Sequence, residues 1–397
     1  MNKIKLIFLR SKISSDPREL EQQKQNYLNE LSKAYEIGEE GEIYFFIESG
    51  GVEEQFREIF ESYKEPYNII ATDANNSLPA SLEIASFLKN KNLKYNLYHS
   101  RKEDIIDVLN KGRAKNNHQN LPLKNEEKIL KNKVYGVVGK PSDWLISSDV
   151  NYEDAYSKFG VKLVDITFEE FKAEIDQAKD IVDPVVFETK LNRKINKETL
   201  NVALKIYSAL YSLIKKHNLN GLTVRCFDLL GVYHNTSCLA LALLNSQGYI
   251  ATCEGDVPAM LTMALIKEKF HQSSFQVNPS FINEKERYGY FAHCTIPLDM
   301  CISYKFDTHF ESGLGIGIAG ELNLAKVTIF KIGSKLDRYE VFEGQIKENL
   351  HFNNLCRTQL KIQFDENIED LLDLPCGNHL IIFKGHHKAE LESFLSK

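Results

Sequence analysis

The chain has 397 residues, 43% of them hydrophobic and 26% charged, with a formal net charge of -6. That length exceeds one ordinary core and predicts two or three domains. The acidic balance offers no basic field for a phosphate backbone, which argues against nucleic acid as a partner. No apolar run approaches the ~20 residues that span a bilayer, which argues against a membrane.

The first third alternates short branched or aromatic runs with amphipathic stretches. Ile4–Leu9, Glu42–Ile47, Asn68–Thr72 and Tyr95–His99 read as strands; Leu20–Tyr35, Val52–Tyr63, Leu78–Leu88 and Glu103–Lys111 read as helices. Met1–Arg10 suits a first strand better than a leader, because its apolar stretch is short. The polar stretch Lys111–Lys133, with Lys115–Asn120 as a loop, marks a boundary.

A second α/β unit opens at Val134–Gly139, and Pro141, Ser142 and Asp143 suit a helix start across Lys140–Ile146. Strands follow at Lys162–Asp165, Leu222–Phe227 and Gly248–Cys253, with helices at Asn196–His217, Ser237–Leu244 and Val257–Lys269. From residue 286 the pattern turns to short strands and turns: Tyr288–His293, Lys326–Ile332, Tyr339–Phe342, Leu360–Phe364 and Leu380–Phe383, then a helix at His387–Leu395. The expected architecture is α/β: two Rossmann-like parallel-sheet domains, 1–133 and 134–285, followed by a β-rich, barrel-like domain, 286–397.

All 7 cysteines lie between Cys226 and Cys376 without a CxxC pair, which suits reduced thiols in a cytoplasmic protein. The carboxylates Asp228, Glu254 and Asp256 directly follow predicted strands. Carboxyl ends of parallel strands share one edge, where ligands bind, and oxygen donors there suit Mg²⁺ or Mn²⁺. Asp256 before Val257-Pro258 also suits a helix N-cap, and Asp228 a turn. His293 ends an apolar strand, His309 precedes a glycine-rich turn, and His379 follows Gly377 ahead of a strand. Gly315-Ile-Gly-Ile-Ala-Gly320 spells GxGxxG, but a β-branched run follows it instead of a helix, so it reads as a turn region and not a dinucleotide cradle.

Arg225-Cys-Phe-Asp228, Thr236–Ala240, Cys253-Glu-Gly-Asp256 with Leu261-Thr-Met263, Ala292-His-Cys294, Thr308-His-Phe-Glu311, Cys356-Arg-Thr358 and Gly377-Asn-His379 together resemble the core of the L-fucose isomerase-like family. The resemblance extends to Gly139–Leu145 and, more weakly, to Asn76–Ala80. It implies a divalent ion, Mn²⁺ with Mg²⁺ as the alternative, held by Asp228, Asp256 and His379. It further implies aldose–ketose isomerisation through an ene-diol, with Asp228 and Asp256 carrying the proton. Glu254, His293, Trp144 and Asn76 fall as substrate neighbours, and a trimeric or hexameric homo-oligomer follows. The second expectation is a non-catalytic sugar-binding or sensing protein on the same scaffold.

Overall fold

The computed structural model describes residues 1–11, 17–112, 120–124, 127–179 and 181–396. Most of the predicted Lys115–Asn120 loop therefore lies outside the described residues. Two parallel sheets and an antiparallel barrel make up the molecule. The first sheet runs in the order Tyr35–Ile37, Asn2–Leu9, Glu42–Ile47, Tyr67–Ala71, Tyr95–His99, all parallel. Between Tyr35–Ile37 and Glu42–Ile47, the first and third members in that order, the chain crosses over Asn2–Leu9. The crossing point is Gly41, where a Cβ would stand 2.2 Å from the Lys3 carbonyl oxygen. Only glycine passes there.

The second sheet has the order Ile250–Cys253, Gly221–Val224, Val134–Val138, Lys162–Ile166, again all parallel. In both sheets the strand ends are in register: Leu9, Ile47, Ala71 and His99 in one, Cys253, Val224, Val138 and Ile166 in the other. The second sheet, and the first apart from its edge strand Tyr35–Ile37, thus each present one even rim of carboxyl ends.

The barrel closes as Lys326–Ile332, Leu380–Lys384, Phe275–Asn283, Tyr288–His293, Thr358–Phe364 and Arg338–Asn349, the last pairing back onto the first. Closure removes the exposed edges that an open antiparallel sheet would carry. Its strand Phe275–Asn283 lies upstream of residue 286, where the sequence pattern changes, and Leu121–Pro122 from the stretch expected to mark a boundary adds to its rim. The GxGxxG segment forms the strand Gly317–Glu321, paired antiparallel with Ser303–Asp307.

Two helices join these parts. Ser77–Asn90 is buried on every face from Ser77 to Leu88, and Val257–Phe270 from Val257 to Ile266. A helix buried all round has no solvent side and must be packed on both sides. Ser77–Asn90 lies between the first sheet and the barrel strand Phe275–Asn283, and Val257–Phe270 between the second sheet and the barrel. Each fully buried Leu or Ile along them contributes about 1.5–3 kcal/mol of burial free energy.

One expected helix does not form. Lys140–Ile146 is a series of turns, because Arg225 takes the Pro141 carbonyl and both oxygens of Asp143, leaving those groups outside any helical pattern. Among the described residues no helix is long and apolar enough to cross a membrane.

Candidate functional site

The two rims of strand ends and the barrel converge on one cavity, with about 740 Å³ of empty space including its open mouth. Gly50 and Asn76 reach it from the first sheet, Trp144 and Glu254 from the second, and Asn278 and His293 from the barrel. Ligands of α/β proteins bind beyond strand carboxyl ends for this topological reason.

Glu254 begins the turn after Ile250–Cys253 and has φ +65°, an uncommon conformation for a side chain of its size. It is held there by neighbours. Its carbonyl accepts the Ser142 N–H at 2.8 Å, and Gly255 N–H donates to Val224 O at 3.0 Å. Gly255 has φ +73°, and a Cβ on it would meet the Lys140 carbonyl oxygen at 2.5 Å. The strain persists because the structure around it is over-determined. Trp144 Nε1 donates to Glu254 Oε2 at 2.6 Å, and its ring packs edge-on against Phe227.

Behind Glu254 runs a buried chain of alternating charge. Lys331 Nζ lies 3.0 and 3.2 Å from the two Asp256 oxygens, and both side chains are wholly buried. Asp256 Oδ1 also accepts the Ala259 N–H at 2.6 Å, which caps the helix Val257–Phe270. Its Oδ2 meets His379 Nδ1 at 2.8 Å, and His379 Nε2 faces Glu254 Oε1 at 3.4 Å. The sequence is cation, anion, cation, anion. Burial opposes charge on Asp256, His379 and Glu254, but their partners prevail. Lys331 and His379 hold the Asp256 carboxyl well below the usual carboxylate range. Glu254 and Asp256 raise His379 to about 9. The charge of His379, with its hydrogen bond and that of Trp144, holds Glu254 below its ordinary value. The loop before His379 is pinned by two more buried carboxylates: Glu83 accepts the Asn378 N–H and Glu340 the Cys376 N–H.

The rest of the cavity wall has the opposite character. Glu311 is pushed up to about 7 by burial and by the charge of Glu254, against the Asn76 Nδ2–H donated to it at 2.6 Å. Burial, with the charge of His379, lowers His293 to about 3, and burial lowers His309 to about 4, so both rings are neutral. Glu53 is buried and pushed well up, chiefly by desolvation. Glu53 Oε2, Asn76 Oδ1 and Asn278 Oδ1 are buried without hydrogen-bond partners. Each such atom costs ~1–3 kcal/mol unless a ligand or water satisfies it.

The structure thus brings Glu254, His293, Trp144 and Asn76 to one cavity. Asp256 and His379 touch each other but lie behind the lining. Asp228 is a correction. The strand ends at Val224, so Asp228 opens the short helix Asp228–Tyr233 and pairs with Arg225 Nε at 3.0 Å, with its side chain 41% exposed. It is no part of the cavity. Glu311 was not among the site residues that the sequence suggested, although Thr308-His-Phe-Glu311 belongs to the motifs of the resemblance. Lys331 was also missed, its signal a lone charge inside the apolar run Ile329–Ile332.

The expected ion-binding set does not fit. Asp228 lies outside the cavity, and both Asp256 oxygens are engaged, with an ammonium group against them that repels a divalent ion. A different set does fit in donor type: Cys253, Glu254 and His293 have ligand atoms within 4.8 Å of one another. Its mixed S, O and N donors suit a borderline transition metal better than Mg²⁺. No family model and no curated protein matches the chain.

Proposed function

We propose that this chain is a ketol isomerase of a small sugar, as its resemblance to the L-fucose isomerase-like family implies, with Glu254 and Glu311 as the proton carriers. The observation that supports this reading is the pair of carboxylates on one cavity whose surroundings drive their proton affinities apart. Such pairs divide base from acid.

In this reading the open-chain aldose carbonyl oxygen lies by Glu311 and the adjacent C–H by Glu254. Glu254 takes the carbon-bound proton while Glu311 gives its proton to the carbonyl oxygen, leaving a neutral ene-diol. Glu311 then removes the proton from the neighbouring hydroxyl as Glu254 returns its proton to the former carbonyl carbon. The ketose results, and both carboxyls regain their starting states. His379, braced by Asp256 and Lys331, keeps Glu254 ionised. Asn76 orients Glu311, and the unpartnered Asn278 and Glu53 oxygens take sugar hydroxyls. A divalent ion bound by Cys253, Glu254 and His293 would stabilise negative charge on the sugar oxygens. The parallel sheets are taken as Rossmann-like units, and a cytoplasmic homo-oligomer goes with the same reading.

The test is to incubate the protein with a panel of aldoses, with and without Mn²⁺ or Zn²⁺, and to follow ketose formation by NMR. Turnover that falls ~10²–10⁴-fold in Glu254→Gln supports the assignment. Binding of sugars without turnover of any would transfer the protein to the non-catalytic class.

A further inference from the structure

Five of the cysteines crowd the cavity, all of them free thiols. Cys238, Cys253, Cys294 and Cys356 line it, and Cys226 lies behind Cys253 with the two sulfurs 2.8 Å apart. Cys294 directly follows the barrel strand Tyr288–His293. Cys356 precedes Thr358–Phe364, and the pairing of His293 with Thr358 folds that approach back against Cys294. Cys294 and Cys356 pack in one small buried cluster with Cys238, Ala292 and Leu355, and Phe310 lies against it; the Cys356 thiol and the backbone of Arg357 and Phe310 favour negative charge on the Cys294 sulfur. The neighbouring strand leaves little spare space: a Cβ on Gly317 would stand 3.2 Å from Cys294 Sγ.

A sulfur ringed by donors is prepared for negative charge, and a second thiol in contact can complete a disulfide. Both members of this pair face the cavity, whereas only Cys253 of the other pair does. We propose that Cys294 and Cys356 form a reversible oxidation site in the cavity wall, with Cys294 attacking a hydroperoxide and Cys356 resolving the product. In the first step the Cys294 sulfur bonds the terminal peroxide oxygen as the O–O bond breaks. The thiol proton leaves with the departing oxygen as alcohol, or as water from hydrogen peroxide. Sulfur loses two electrons and the peroxide gains them. In the second step the Cys356 sulfur bonds Cys294, the S–O bond breaks, and hydroxide departs with the Cys356 proton as water. Two thiols and one hydroperoxide give one disulfide, one alcohol and one water. This inference stands apart from the isomerase reading, since it concerns only the thiols.

The experiment treats the folded full chain with hydrogen peroxide, blocks remaining thiols with N-ethylmaleimide, and maps peptides by mass spectrometry. The expected result is loss of two of the 7 thiols as a Cys294–Cys356 cross-link, reversed by dithiothreitol. In Cys356→Ser, dimedone should label Cys294 as a sulfenic acid. A cross-link between Cys226 and Cys253 instead, or oxidation of the half-buried Cys301 ahead of Cys294, would overturn the proposal. So would survival of both thiols. The wild-type map decides the matter even if a variant fails to fold.

Discussion

Replacing Lys331 with Met removes the ammonium group from Asp256 while roughly preserving side-chain volume. Asp256 would keep the Ala259 N–H at 2.6 Å and His379 at 2.8 Å. It would lose the Lys331 contacts at 3.0 and 3.2 Å in a place that water does not reach. Breaking a buried pair by removing one partner costs about 3–5 kcal/mol, because the other charge stays buried. At ~1.4 kcal/mol per factor of ten, the folded-to-unfolded ratio falls by two to three and a half orders of magnitude. Urea unfolding, followed by circular dichroism, measures this directly. Adding Asp256→Asn to the same chain removes the stranded charge, so the double variant should be more stable than the sum of the singles by ~2 kcal/mol or more. A loss below ~1 kcal/mol in Lys331→Met, the size seen for exposed pairs, would refute the reasoning.

Three further outcomes follow from the geometry. Glu311, raised to about 7 from 4.5, keeps a proton in the folded state that the unfolded chain has released. Its contribution to stability is full below pH ~4.5 and is lost as pH rises through ~7, so wild type should lose ground to Glu311→Gln by up to ~1.4 kcal/mol per pH unit in that window. Parallel stability profiles for the two proteins would contradict this. Trp144 is the sole tryptophan and lines the cavity, so its emission should shift on titration with a bound aldose; binding seen by calorimetry with unchanged emission would place the ligand elsewhere. Asp228→Asn should change stability by less than ~1 kcal/mol and leave turnover intact, since its partner Arg225 keeps Asp143; loss of activity would restore Asp228 to the site.

Local pattern was legible where local forces decide. Glu42–Ile47, Tyr95–His99, Tyr288–His293 and Lys326–Ile332 form strands with the bounds that their side chains predict. The helix expected at Lys140–Ile146 failed because Arg225, some eighty residues later, claims that loop's polar groups, and periodicity carries no trace of such a partner. The strand Phe275–Asn283 went unread although Phe275, Val277 and Phe281 alternate with polar neighbours, and Pro279 inside the run argues against a central strand. At the site, Glu254, Trp144, His293 and Asn76 were visible through motif resemblance, and the structure gathers them at one cavity. The roles of Asp256 and His379 depended on what stands behind them. Lys331 alone decides that Asp256 is saturated, and only the fold brings that side chain to it. Asp228 was misplaced by a few residues of strand end, enough to turn its side chain toward solvent.

The central claim is that Glu254 carries a proton between adjacent sugar carbons, and it is tested most directly by running the isomerisation in D₂O. A carboxylate that exchanges with solvent between taking and returning the proton should leave deuterium on the carbon that receives it, visible by NMR. The label and the turnover should disappear together in Glu254→Gln. Ketose formed without any deuterium, at a rate that Glu254→Gln leaves unchanged, would mean direct hydrogen transfer between the carbons and would contradict the assignment.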